Sequence, residues 1–405
     1  MNPELRTWWG TRSEPILRFA VVTMAAAAVV WLSYQFWRLL WQETPIWPTS
    51  PPGAVDLKQR HEEVHRWFAG APVYGELWTA VYPPASYLIL WPLLGWLSVP
   101  SARHLWAATT VAALLWTIRL ILRQSGADRP LERILVALMP LSIYATGATI
   151  GNGQLMVHAL PILVAALLPL HRPQGGWQTD LFAAGLFLLA LVKPSVTIPF
   201  VWMLLFVPRR LRPDLLVASG YGVLTVVAAS FQELGLVRVG RAWVTHVIEV
   251  SAAVSLSWNS ISLHTLAGLF GSSWTLPASL LVLAGLGWWT HWNRRADPWF
   301  LLGVTAVTAR FWTYHGWYDD ILVLLPLVAL FRIAKRGESE GGRDVIAGLL
   351  FAITISAMFA PGGLYLLPPP WNIAYVIGQV MVWLAVLLFL LGQVRRERNI
   401  IAASA

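Results

Sequence analysis

ILRFAVVTMAAAAVVWLSYQFWRLL, residues 16–40, carries two charges, Arg18 and Arg38, one near each end. As a helix rising ~1.5 Å per residue, it is longer than the ~30 Å hydrocarbon core of a bilayer. Further apolar runs stand at 84–98, 104–122, 131–149, 155–170, 181–194, 195–208, 214–231, 276–292, 298–312, 319–334, 344–361 and 372–393. Backbone N–H and C=O groups in lipid must be bonded within their own segment, so these runs are read as helices. Composition agrees. The chain is 57% hydrophobic and 12% charged, whereas a soluble domain carries roughly a quarter charged residues. Too little polar surface exists to cover a water-soluble globule of 405 residues. The sequence therefore predicts an all-α polytopic membrane protein that folds as one unit over 1–405.

Charge sets the expected topology. The net charge is +9 and the isoelectric point about 10.2, but the basic residues sit in short gaps between apolar runs rather than in a basic domain. That pattern follows the positive-inside rule and points away from nucleic acid. The basic gaps are 1–18, 119–133, 208–213, 291–297, 332–343 and the tail around Arg395, Arg396 and Arg398. Placing them in the cytoplasm gives the outer side 41–103, 150–154, 232–275, 313–318 and 362–371. This alternation requires that 84–98 not cross. The run is short, opens on Pro83-Pro84 and is broken by Pro92, which suits a juxtamembrane or re-entrant helix. About twelve spans follow, with both termini inside and long outer loops at 41–103 and 232–275. A rival scheme makes 84–98 a span and 181–207 one helix, at the cost of four arginines outside.

Arg6, Arg12 and Arg18 lead into the first run, which exceeds a signal-peptide core and lacks a clear cleavage site, so it is expected to stay as a span. Trp37, Trp41, Trp91, Trp106, Trp258, Trp274 and Trp371 lie at run ends, where interfacial anchoring is expected. With no cysteine, thiolate chemistry and Cys-based metal sites are excluded.

Charges among apolar runs are costly, so their positions inform. VDLKQRHEEVHRWFAG, 55–70, alternates apolar and charged residues at helical spacing and suits an amphipathic helix on the bilayer surface, with most of its charges on a solvated face. Asp56 opens that helix. It is either a first-turn or capping carboxylate, or a general base at the outer surface within reach of a lipid-borne substrate. His61 and His65, within HEEVH, have the formal pattern of a zinc protease, but no third-ligand motif follows. In TIGNGQL, 149–155, Asn152 and Gln154 suit either sugar hydroxyls or helix ends. Lys193, immediately before Pro194, either snorkels to the outer interface or faces an anionic lipid phosphate. ARFWTYHGWYDD, 309–320, gathers Arg310, Tyr314, His315, Asp319 and Asp320 at another outer boundary. Its tandem aspartates could bind a divalent cation or cap the following span. No cofactor is firmly implied.

With these residues in place the chain resembles glycosyltransferase family 87, within the GT-C superfamily. The resemblance rests on Asp56 early in a long first outer loop, VYPPASYLILWPL (81–93), GNGQL (151–155), LVKP (191–194) and WTYHGWYD (312–319). It implies a GT-C-like bundle that moves a sugar, mannose or arabinofuranose above all, from a polyprenyl-phosphate donor to a glycolipid or glycan acceptor on the outer face. It also implies that Asp56 is the catalytic base of a single-displacement, inverting transfer. Lys193, with His315 or Arg310, would stabilise the leaving phosphate, and Tyr82, Asn152 and Gln154 would hold the sugar. Many relatives carry a doubled histidine after an aromatic; this chain reads Tyr314-His315-Gly316. The match implies no metal-binding pair. Two other classes explain some of the same features: a lipid-linked-sugar flippase with no chemistry, and a zinc protease built on HEEVH.

Overall fold

A computed structural model describes residues 3–45, 51–171, 175–254, 262–268, 270–313, 315–336, 342–362 and 367–403. Helix dominates these residues; there is no strand among them, only one antiparallel bridge between Ile143 and Phe359. Every apolar run of the sequence carries helix. The first span is α1 (Pro3–Trp41). The segment that follows α1 holds α2 (Val55–Phe68) and α3 (Pro84–Leu94). At 11 residues α3 measures ~16 Å, about half a hydrocarbon core.

Next come α4 (Val99–Gln124), α5 (Pro130–Ser142), α6 (Tyr144–Asn152) and α7 (Met156–Leu167). The run expected at 131–149 is thus divided at Ile143, whose extended backbone makes the bridge to Phe359. A bend of 116° separates α6 from α7. The stretch 181–208 becomes α8 (Trp177–Ala190), α9 (Pro194–Thr197) and α10 (Val201–Phe206), interrupted at Lys193-Pro194. Proline lacks the N–H that a continuing helix needs. The chain continues with α11 (Arg212–Ala229), α12 (Gly235–Val254), α13 (Leu263–Gly268), α14 (Thr275–Trp292) and α15 (Pro298–Phe311). A 3-10 segment, Trp317–Val323, leads into α16 (Leu324–Arg336), followed by α17 (Arg343–Ala357) and α18 (Trp371–Ala403).

By length and composition, three described helices can cross a membrane, within α1, α4 and α18, or four if the bent α6–α7 pair counts as one span. The sequence suggested about twelve. The difference arises because the other runs are shorter, less apolar, or broken by proline and glycine. At the centre lie α15 and α16, buried along most of their length, and α6, buried throughout. The flanks of α1, α14 and α18 expose Phe19, Val22, Val30, Leu280, Leu281, Met381 and Leu388. So much exposed apolar surface belongs in lipid, and the protein is a membrane protein.

Trp37, Trp41, Trp91, Trp274 and Trp371 are exposed, as interfacial anchors require. Trp106 is not. It is buried on the inner face of α4, its ring 4.7 Å from that of His158. Trp258 lies outside the described residues. The helix α2 also departs from a simple surface helix. It packs against α3, α4 and α6 and buries Arg60 and Glu63 beside Leu57, Val64 and Trp67.

Candidate active site

The position of Asp56 is set by a close approach of two backbones. Gly153 ends α6 with φ +72, a left-handed conformation that glycine adopts without strain. A Cβ there would stand 2.5 Å from Leu57 Cβ and 3.3 Å from the Leu57 nitrogen. The glycine therefore lets the first turn of α2 rest on the α6–α7 corner. Ala54, the residue before α2, donates its N–H to the Gly151 carbonyl at 2.8 Å. Asp56 follows in the first turn, where the helix dipole favours a carboxylate, and no side chain caps this end.

The two amides of GNGQL divide the readings open to them. Asn152 Oδ1 accepts from Arg38 Nη2 at 3.3 Å and ties the corner to α1. Gln154 instead donates to the Asp56 carboxylate.

Beside Asp56 lies a cavity of about 180 Å³, walled by α2, the α6–α7 corner, the α8–α9 break and the 3-10 segment. Asp56, Tyr82, Gln154, Lys193 and His315 all line it, as do Arg60 and Asp319. Lys193 Nζ donates to Asp319 Oδ1 at 2.5 Å and sits 4.9 Å from the centre of the Tyr318 ring. The other oxygen of Asp319 lies 3.2 Å from His315 Nδ1. That contact fixes the tautomer: Nδ1–H donates to the carboxylate, and Nε2, buried without a partner among the described residues, is left for a ligand.

Sequence reasoning placed Arg60 on a solvated face; the structure places it in the cavity wall. Its guanidinium pairs with Glu63 at 2.7 Å, donates to the Thr79 carbonyl at 2.7 Å and lies 4.5 Å from the centre of the Tyr82 ring. Its Nη1 is buried with no partner among the described residues. The signal was in the spacing: Asp56, Arg60 and Glu63 fall at i, i+4 and i+7, one helical face shared with Val64 and Trp67.

Two of the expected site residues stand apart from the cavity. Asn152 serves the corner, as above. Arg310 lies behind the wall, bound to Asp320, which also accepts from the Tyr144 hydroxyl. The tandem aspartates thus face different partners and do not converge on one point. Among the described residues, no group of three His, Asp or Glu side chains could hold a metal ion. His61 and His65 point Nε2 at the carbonyls of Leu97 (2.8 Å) and Leu94 (3.1 Å). A carbonyl can only accept, so those nitrogens carry the proton and are not metal ligands in this arrangement.

The α2 carboxyls feel their surroundings. Burial pushes the Asp56 carboxyl up, opposed by Arg60, Lys193 and the Gln154 hydrogen bond. Burial also pushes Glu63 up to about 7, against the pull of Arg60. Desolvation holds the His315 imidazole below its usual range, although Asp319 pulls the other way.

A charged cavity enclosed by apolar helices, with a carboxylate facing cations, marks a functional site. The model of glycosyltransferase family 87 matches residues 78–313, more than half of the chain; the chain belongs to this family, and the protein is a membrane glycosyltransferase. The matched span contains Tyr82, Asn152, Gln154, Lys193 and Arg310, while Asp56 and His315 lie outside it. No curated protein and no solved structure matches the chain.

Proposed function

We propose that the protein transfers a sugar, mannose or arabinofuranose, from a polyprenyl-phosphate donor to a glycolipid or glycan acceptor at the outer face of the membrane. The carrying observation is the pairing, in one small cavity, of the Asp56 carboxylate with Lys193, Arg60 and His315. A base and a set of cations are what an inverting displacement from a lipid phosphate needs. Asp56 takes the proton of the acceptor hydroxyl while that oxygen attacks the anomeric carbon, and the bond from that carbon to the phosphate oxygen breaks with its electron pair. The leaving phosphate gains charge, and cations already in place in a dehydrated site stabilise it without reorganising.

Lys193 is held by Asp319 and Arg60 by Glu63, so neither cation has to be ordered when the donor arrives. An anionic phosphate next to His315 favours its imidazolium, and Nε2–H then donates to it. Tyr82 and Gln154 suit sugar hydroxyls. Asn152 and Arg310, both expected at the substrate, act from behind the wall, holding respectively the α6–α7 corner and the segment that carries Asp319.

The topology belongs to the same proposal: one domain of about twelve spans, termini in the cytoplasm, and the cavity on the outer side. The broken helices favour it, since irregular backbone at membrane depth is tolerated where it lines a polar cavity. The test is incubation of the purified protein, in detergent, with radiolabelled polyprenyl-phosphate sugars and membrane extract. One lipid-phosphate sugar should give labelled product. Transfer from nucleotide sugars alone would overturn the donor assignment. A flippase would give no product in detergent, where no second compartment exists.

A further inference from the structure

The strongest feature outside the cavity is at the other end of α4. A groove of about 610 Å³ there is lined by Arg119, Arg123 and Arg133 together with Leu115, Ile118 and Leu122. Arg103, near the start of α4, donates to the Leu39 carbonyl and pairs with Glu43, in the first outer segment. From Arg103 to the groove arginines is about 16–20 residues of continuous helix, or ~24–30 Å. Glu43 also pairs with Lys58 of α2, the helix that walls the cavity, so the groove lies about one hydrocarbon thickness from the cavity side, at the opposite membrane surface.

The charge in the groove is not neutralised locally. The acids of the neighbouring connection, Asp128 and Glu132, are both engaged by Lys335, at 2.5 and 2.7 Å. Among the described residues no carboxylate pairs with Arg119, Arg123 or Arg133. Arg119 and Arg123 are one turn apart, and Leu115, Ile118 and Leu122 lie on the same side of α4, with Leu115 exposed. Arg133 closes the site from the first turns of α5. Basic groups at the interface, continued toward mid-membrane by an aliphatic wall, complement a phosphodiester headgroup with its acyl chains.

We propose that this groove binds an anionic phospholipid of the leaflet opposite the cavity. The proposal does not depend on the identity of the donor or of the catalytic residues. It is tested by native mass spectrometry of the full-length protein with phosphatidylglycerol and phosphatidylcholine of matched acyl chains. The protein should retain phosphatidylglycerol and not phosphatidylcholine. Each interfacial arginine contributes on the order of fivefold, so R119Q/R123Q/R133Q should weaken retention by on the order of 100-fold. R119K/R123K/R133K, which keeps the charge, should stay within about tenfold of the wild type. Equal retention of the two lipids, or undiminished phosphatidylglycerol binding by the glutamine variant, overturns the proposal. So does binding of sn-glycerol 3-phosphate as tight as that of the lipid. If the glutamine variant does not elute as a single species, the wild-type lipid comparison and the lysine variant still decide.

Discussion

Replacing Asp56 with asparagine separates catalysis from architecture. The amide has the same shape and keeps an acceptor oxygen for Gln154, so the hydrogen bond within the cavity survives. The fold loses only a first-turn carboxylate, about 0.3–1 kcal/mol in dipole interaction, and is relieved of burying a charge. The chemistry loses its base. A positioned base contributes about 10²–10⁴-fold, or roughly 3–5.5 kcal/mol of barrier. Donor affinity should not fall, because the removed charge repels the phosphate rather than attracting it. The expected result is a kcat lower by at least about 100-fold, a donor KM no higher than wild type, and an unchanged melting temperature. Initial rates at saturating donor and a thermal melt of the same preparation measure all three. A kcat within about tenfold of wild type, or a raised donor KM at full kcat, would refute the assignment and leave Asp56 as a helix-end carboxylate.

Burial raises the Asp56 carboxyl, and the base must be ionised to act. The acid limb of kcat should therefore lie above the ordinary carboxylate value of ~4, with full activity above it and loss as pH falls through it; a limb at or below ~4 in a pH–rate profile contradicts this. Gly153→Ala forces a left-handed φ on a residue with a side chain and drives its Cβ into Leu57. It should lower kcat by on the order of 10–100-fold through misplacement of Asp56, with insertion into the membrane retained, as read by rates and membrane fractionation. Arg60→Gln should raise the donor KM more than it lowers kcat, and the partner change Glu63→Gln in the same chain should restore melting temperature but not KM. Arg310→Met should destabilise by about 3–5 kcal/mol because Asp320 is left buried and unpaired. Arg310→Met with Asp320→Asn should recover most of that in a thermal melt while the donor KM stays at the wild-type value.

The membrane fold was legible because lipid imposes a coarse rule: apolar runs must be helices, and every such run carries helix. The breaks were less legible. Nothing in ERILVALMPLSIYATGATI, 132–150, announces a division at Ile143, since the bridge to Phe359 is made with a residue more than two hundred positions later. The cavity was legible where chemistry is conspicuous against an apolar background, as with Lys193, His315 and Asp56. It was obscured where charges are common. Arg60 sits among seven other ionisable residues in 55–70, and the packing of α2 separates the face it shares with Val64 and Trp67 from the face of Lys58 and Glu62. Arg310 misled for the opposite reason: a buried arginine near a site reads as a ligand for substrate until its partner, Asp320, is seen.

The breaks and the cavity have one cause. A helix that stops within the membrane leaves backbone donors and acceptors without intrahelical partners, and these need protein, water or ligand around them. Three helix ends, at Gly153, at Lys193-Pro194 and after Phe311, meet beside the first turn of α2. Each delivers a polar side chain to the cavity: Gln154, Lys193 and His315. The lost helical hydrogen bonds and the collected site are then the same feature viewed from backbone and side chain. Restoring continuity at a stop should therefore cost function while the fold is kept. Pro194→Ala is the clean case, because it returns the missing N–H and permits α8 to run on into α9. Rotation of Lys193 away from Asp319 should follow, with the donor KM raised by on the order of tenfold and the melting temperature unchanged or higher. A variant that is both more stable and fully active would show that the break at Lys193 is incidental to the site.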